Sequence, residues 1–269
     1  MFGGEEAPSS SLSASESDIL QRWKEIQNSL KQRLIMDDDF TWKPPTSETV
    51  SAGDGDDQPV LKYIGGVDVS CLKEDQSVAC GTIVVLDFHT GKVVYHDSAH
   101  VTLDVPYIAG FLAFREAPVL LQLLEKMKNN HNPYYPQLLM VDGNGMLHPR
   151  GFGLACHLGV LGNLPTIGIG KKLHCIDGLT EKGVRKSLLD TERSDKHFVS
   201  LTGRSGCIHG VAMRSTEGSV KPIFISIGHR VSLDNAVKIV KMTCKYRVPE
   251  PIRQADKRSR DYVRSLNKY

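Results

Sequence analysis

Three strand-like stretches follow one another in the first half of the chain with no helical period between them, and helix and strand patterns alternate only afterwards. The stretches cover 60–71 (VLKYIGGVDVSC), 78–88 (VACGTIVVLDF) and 92–102 (KVVYHDSAHVT). His89, Thr90 and Gly91 make a short hairpin turn between the last two. Phe114, Leu120, Leu121, Leu124 and Met127 then give a helix over 112–129. A buried strand follows at 137–142 (QLLMVD), then a Gly-rich turn, a helix over 152–161 and a strand at 165–170 (PTIGIG). After a polar stretch come strands near 207–214 and 221–227 and a helix over 232–244. Parallel strands need helical crossovers and antiparallel ones need only turns, so this order specifies an α/β fold: one mixed sheet flanked by helices. No internal repeat is present.

The flanks read differently. Residues 1–17 are rich in Ser, Gly and Glu and are expected to be disordered. From Asp18 to about Met36, Ile19, Leu20, Trp23, Ile26, Leu30 and Leu34 recur at three- or four-residue steps, an amphipathic helix with Ser17 as its N-cap. Packing against the main domain is the simpler use of that face, and binding a partner the sharper one. Residues 37–58, with acids, a Pro pair and Gly, read as a linker. The domain then runs over 59–250, with 251–269 as a basic tail.

Charge follows the same division. The whole chain has 33 Lys and Arg against 31 Asp and Glu, a balance that by itself argues against a polyanionic partner. Yet residues 1–58 hold twelve of the acids and five of the bases, so the remainder is distinctly basic. A nucleic-acid partner therefore stays open. No apolar run approaches the roughly 18–20 residues of a membrane span. The N-terminus has acids where a secretory signal has bases. The expectation is a soluble monomer, cytoplasmic or nuclear (nucleolar included), with no membrane contact. Six scattered cysteines without a C-x-x-C pair read as free thiols.

Three acids sit where acids are costly. Asp68 lies inside GGVDVS, and its side chain shares a strand face with Gly66, which leaves room beside it. Asp142 closes LLMVD just before the turn GNG, at the strand end where ligands of α/β sheets gather. Glu116 lies near the start of the 112–129 helix. Singly, each also reads as a turn, strand-end or helix-terminal acid. Converging, they would repel one another unless a hard divalent cation such as Mg²⁺ joined them. Such a centre suits phosphodiester hydrolysis.

VDVS at 67–70, VPYIAGFLAFREAP at 105–118, VDGNGMLHPRGFGLACHLG at 141–159 and IGIGKK at 167–172 together resemble the endonuclease V family. KPIFISIGHRVSLDNAV (221–237) and YRVPEPIRQADK (246–257) continue the resemblance, which looks nearest to the metazoan branch. It implies a ribonuclease H-like fold and a Mg²⁺- or Mn²⁺-dependent endonuclease. Its substrate would be inosine in single-stranded RNA or DNA, cut at the second phosphodiester bond on the 3′ side to leave 3′-hydroxyl and 5′-phosphate ends. The resemblance puts Asp68, Glu116 and Asp142 in the metal-binding positions and Lys171 beside the scissile phosphate. A lysine leaving an apolar strand also snorkels to solvent without any such role. His229 matches a family histidine next to the metal, for which a structural role is an equal alternative. Asp234 is a weaker candidate for a fourth carboxylate.

Pro106, Tyr107, Ile108 and Ala109 match the family's strand-separating wedge, with Ala109 where many bacterial members have a second proline. By the same likeness Gly110, Leu112, Gly145, His148 and Gly153 line the pocket for a flipped base, with Asn144 where several bacterial members have histidine. Arg115, Arg150, Arg247 and the bases of the tail are candidate phosphate contacts. Two other readings compete: a non-catalytic reader of inosine-containing RNA, and a metal phosphatase for small phosphoesters.

Overall fold

A computed structural model describes residues 14–44, 59–191, 197–216, 218–219 and 221–266. Of the stretch 1–17 expected to be disordered, 1–13 lie outside the described residues and 14–17 belong to a helix; most of the expected linker, 45–58, also lies outside the described residues. One eight-stranded sheet organises the rest, in the order β3-β2-β1-β4-β5-β8-β7-β6. β1 (Tyr63–Cys71), β2 (Val78–Asp87) and β3 (Val93–Thr102) form the antiparallel meander. Parallel to β1 run β4 (Leu138–Asp142) and β5 (Thr166–Gly170). β8 (Ile223–His229) returns antiparallel beside β5, followed by β7 (Ile208–Met213) and β6 (Phe198–Thr202).

Both faces of the sheet are covered, as a parallel centre requires. On one face Val67, Ile83, Val85, Leu139 and Val141 pack against α2 (Leu112–Asn129) and α3 (Leu154–Gly162) through Leu120, Leu123, Leu124 and Leu158. On the other, Ile64, Val84, Met140, Ile167 and Ile225 meet Ile239 of α5 (Leu233–Thr243) and Ile252 of α6 (Glu250–Leu266). Val67 and Asp68 point to opposite faces by strand alternation, so Asp68 looks toward α6.

Three stretches depart from the expectation. The polar stretch after Lys171 contains α4 (Glu181–Thr191) and the edge strand β6. The basic tail is the long helix α6, whose Ile252, Ala255, Ser259 and Val263 are buried at helical spacing among its charges. Helix α1 (Ala14–Lys31) begins before Ser17, so Ser17 is not its N-cap. It packs on the domain as its apolar stripe suggests: Trp23 stacks on Phe114 with centroids 4.9 Å apart, and Leu30 is buried beside Phe152, Cys156 and Val160. Residues 35–43 are held as well. The backbones of Ile35 and Asp39 bond to Arg230, and Trp42 is buried in the core against Phe40. The six cysteines are free.

Candidate active site

The carboxyl ends of β1, β4 and β5 carry the chemistry. Asp68 of β1, Asp142 at the end of β4 and Asp256 of α6 offer carboxylate oxygens that all lie within 4.8 Å of one another. Asp68 is buried; its Oδ2 accepts hydrogen bonds from Ser70 Oγ at 3.2 Å and from Ser259 Oγ. Lys171, one residue past β5, donates to both Asp142 and Asp256, the second at 3.3 Å. The expected phosphate lysine is therefore at the cluster, while Lys172 beside it is exposed.

Glu116, in the first turns of α2, is half-buried and feels both Asp68 and Asp142. Burial pushes its carboxyl up to about 8, the two aspartates add to the rise, and Arg115 opposes it. Asp142 is raised to about 6: burial raises it most, Lys171 lowers it, and Asp68 raises it again. Acids crowded in this way hold protons unless positive charge arrives. All the donors are carboxylate oxygens, and among the described residues no thiolate or imidazole joins them. That donor set fits a hard divalent cation of the Mg²⁺ or Mn²⁺ kind.

Asp256 is the acid that sequence reasoning missed. It sits in a segment read as a basic tail whose bases could contact phosphates, and Gly66 explains how it arrives. A Cβ on Gly66 would stand 2.2 Å from the Pro251 carbonyl, so only glycine lets α6 start against β1. The room foreseen beside Asp68 is filled by this helix. Two signals were available: the stretch YRVPEPIRQADK (246–257) of the family resemblance contains Asp256, and Ile252, Ala255, Ser259 and Val263 keep three- and four-residue spacing within the charged run.

His229 does not join the cluster, and its expected role is corrected. In the antiparallel β5–β8 pair it stands opposite Thr166, whereas Lys171 follows Gly170, which faces Phe224. The two ends are roughly 13–17 Å apart at about 3.3 Å per residue. His229 is buried, its Nδ1 accepts the Ile35 N–H at 3.2 Å, and burial pushes its imidazole down to about 4, with Arg230 reinforcing the shift. It anchors the segment after α1. Asp234 lies in the first turn of α5, just past this same end of β8, where it serves the helix N-terminus.

A small cavity of about 100 Å³ borders the cluster on the β4 side. Tyr107, Gly110, Leu112, His148 and Gly153 line it, so most of the expected pocket is assembled. Gly143, directly after Asp142, links it to the acids. Gly110 adopts φ +85°, the left-handed conformation that glycine permits at this turn. Gly145 is not in the lining. Its N–H donates to Ser226 Oγ at 2.9 Å, its carbonyl accepts from Gly153, and a Cβ would lie 2.0 Å from the Ile227 oxygen. It serves close packing of the turn on β8.

The cavity also has walls that sequence reasoning did not supply. His174 faces His148 with ring centroids 5.8 Å apart, and burial lowers both, His148 to about 4, so both rings are neutral near pH 7. Gln27 of α1 is buried and donates to the Phe152 carbonyl at 2.7 Å and the Gly110 carbonyl at 3.4 Å. It joins the two loops that bound the cavity. Asn144 lines the cavity, with its buried Oδ1 lacking a hydrogen-bond partner among the described residues. Pro106, Tyr107 and Ala109 are exposed at the mouth and Ile108 is partly covered; Tyr107 retains 69% of its surface.

The arginines expected at phosphates act on the protein instead. Arg115 is buried and donates to the Gln76 and Val105 carbonyls, steadying the loop that carries Pro106–Ala109. Arg150 binds Gln27 and Asn28 of α1, and Arg247 binds the carbonyls of Lys171, Lys221 and Pro222.

A mixed sheet opened by an antiparallel meander, with aspartates from β1, β4 and the last helix meeting at its carboxyl edge, defines a class. It is a ribonuclease H-like phosphodiester hydrolase whose acids are arranged for a divalent cation. Comparison with known proteins narrows that class. The Endonuclease V family model matches residues 46–257. Mouse Endonuclease V is 44% identical over 92% of this chain and 70% of its own length, and human Endonuclease V is 42% identical over 92% and 84%. Among solved structures, the catalytic domain of human Endonuclease V superimposes with a TM-score of 0.84 at 40% identity, covering 93% of this chain and 98% of that one. Ciona intestinalis Endonuclease V, in complex with a DNA containing an inosine followed by a ribo-adenosine, gives 0.82 at 34% identity over 93% and 99%. The chain belongs to the endonuclease V family, whose members are metal-dependent nucleases. Among the described residues, no helix is long and apolar enough to cross a membrane.

Proposed function

We propose that this nuclease recognises inosine in single-stranded RNA or DNA and hydrolyses the second phosphodiester bond on its 3′ side, leaving 3′-hydroxyl and 5′-phosphate ends. The observation that carries the reading is the cavity's junction with the carboxylate cluster through the neighbouring residues Asp142 and Gly143. A base held in one places its own strand at the other. The related Ciona intestinalis protein bound to inosine-containing DNA supports the choice of base.

Asp68, Asp142 and Asp256 would hold Mg²⁺, with Mn²⁺ as a substitute, and Glu116 would complete the set. When bound, the cation supplies positive charge to the phosphoryl oxygens and the departing alkoxide. Ser70 and Ser259 fix the Asp68 carboxylate by hydrogen bonds. Lys171 neutralises Asp142 and Asp256 and presents its ammonium at the same spot, where a phosphate oxygen would meet it. Glu116, its carboxyl pushed up to about 8 by burial and the two aspartates, releases its proton as the cluster gains positive charge.

In the cavity, neutral His148 and His174 offer flat faces to a purine without charge. Backbone groups around Gly110 and Gly153 can pair with the O6 acceptor and N1–H donor that distinguish hypoxanthine from adenine. Tyr107, exposed beside the cavity, can stack on the base left behind. Ala109 in place of proline makes a less rigid wedge, which suits strands that need no unpairing.

The test is cleavage of matched inosine- and adenosine-containing RNA and DNA oligonucleotides with Mg²⁺, with product ends mapped. Cutting confined to the inosine strands and abolished in Asp68→Ala is expected. Equal cutting of both bases would overturn the reading, as would full activity in Asp68→Ala.

A further inference from the structure

Lys171 also lines a second, larger cavity of about 340 Å³, between α4, the start of β8 and the loop after β5. We infer that it holds the segment of single-stranded nucleic acid on the 3′ side of the scissile bond. The inference rests on the nuclease reading above.

Its lining is strongly cationic. Lys171 and Lys172 come from the end of β5, Arg185 from α4, Arg214 from the end of β7, and Lys221 and Arg247 from the ends of the adjoining loops. Glu181 is the single acid among the lining residues. Arg247 is committed to three carbonyls, those of Lys171, Lys221 and Pro222, so it fixes the loop that begins at Lys171 to the residues leading into β8. Arg185 and Lys221 are exposed and able to reach a phosphate. Beneath them lie Leu188 and Phe224, 2% and 5% exposed, an apolar floor against which a base can rest. The volume falls in the range of pockets for small ligands, enough for about one nucleotide beyond the first that follows the cut.

Position gives the polarity. Gly143 borders the base cavity, Asp142 beside it belongs to the acid cluster, and Lys171 contacts Asp142 and lines the cationic cavity. The three sites therefore follow one another: base, scissile phosphate, cationic cavity. A strand cut on the 3′ side of its recognised base must carry its 3′ portion past the acids, and this cavity is what it meets. The C-terminal bases are a poorer track, since Arg253, Arg260 and Arg264 are paired with Glu250, Asp256 and Asp261 on α6 itself.

The full chain and the double variant Arg185→Gln/Lys221→Gln test this on inosine oligonucleotides. The substrates share one 5′ arm and end either one or about ten nucleotides beyond the cut. For the unaltered protein, KM should rise about tenfold on the short arm. In the double variant, KM for the long arm should rise to the short-arm value with kcat within about twofold. The salt dependence of binding should also lose about 1.4 in log–log slope, the share of two single-strand phosphate contacts. A KM independent of arm length in the unaltered protein overturns the inference, and so does an equal rise on both arms in the variant. If the unaltered protein fails to cut at inosine, the nuclease reading falls, and the cavity is then judged by anisotropy with a 5′-phosphorylated, inosine-free strand. Weaker binding in the variant supports the cavity as a strand site, and equal binding overturns it.

Discussion

Asp68, Asp142 and Asp256 come from two strands and a helix far apart in the chain, and each is placed by a different local rule. Asp68 is set by strand alternation, Asp142 by the end of an apolar strand, and Asp256 by a helix allowed to approach at Gly66. Since Asp256 donates an oxygen to the same small volume, Asp256→Asn should lower the single-turnover cleavage rate by at least about 100-fold, or about 2.7 kcal/mol of barrier. Its melting temperature should stay close to the parent's, because relief of the crowded negative charge offsets the weakened contacts with Lys171 and Arg260. A rate within tenfold of the parent would remove Asp256 from the centre. His229 gives the opposite expectation. Its nitrogen serves the Ile35 backbone at the far end of β8, so His229→Asn should keep kcat within about threefold while losing about 1 kcal/mol in urea denaturation. At this scale the sequence exposed the acids whose neighbours are apolar. It could not separate His229 from the centre, because a strand-end residue belongs to one edge or the other only once the strand's direction is known.

At the scale of elements, α6 matters most to the site and was the least visible. Its mean character is polar, with four arginines and a lysine over 250–266, and that charge masked a narrow buried stripe. The meander, β4, β5 and α2 were legible because each has a dense apolar pattern bounded by turns. α4 and β6 were not, since they lie at the sheet's edge with one face in water. The dependence of α6 on Gly66 can be tested by Gly66→Ala. The added methyl would stand 2.2 Å from the backbone of Pro251, which cannot yield as a flexible side chain would. An overpacking loss of about 1–3 kcal/mol in urea denaturation is expected, with cleavage falling further than stability accounts for, because Asp256 rides on the displaced helix. Parent-like values in both measurements would show that α6 docks without this contact.

The whole molecule joins an acidic N-terminal part to a basic domain, but Trp23, Gln27 and Leu30 pack into that domain and Gln27 helps wall the cavity beside the acids. Its buried histidines give it a pH response. His148, His157 and His229 are all pushed down to about 4, each chiefly by burial, whereas in an unfolded chain each titrates near 6.5. Between those values the unfolded chain binds protons that the folded one refuses, so stability falls as pH drops from about 6.5 toward 4. Each histidine adds at most about 1.4 kcal/mol per pH unit to that fall. Glu116 and Asp142 work against it, since their raised values let the folded protein hold protons that the unfolded chain has released. The net slope thus mixes both, and a single substitution isolates one contribution. His157 is the suitable one: it lies between Phe114 and Phe152, away from the acids, and its buried Nδ1 has no hydrogen-bond partner among the described residues. His157→Leu should therefore cost little or nothing at pH 7.5, and from pH 6 to 5 it should lose up to about 1.4 kcal/mol less than the parent in urea denaturation. Parallel stability curves for the two proteins would mean that His157 titrates normally in the fold and is not buried as neutral imidazole.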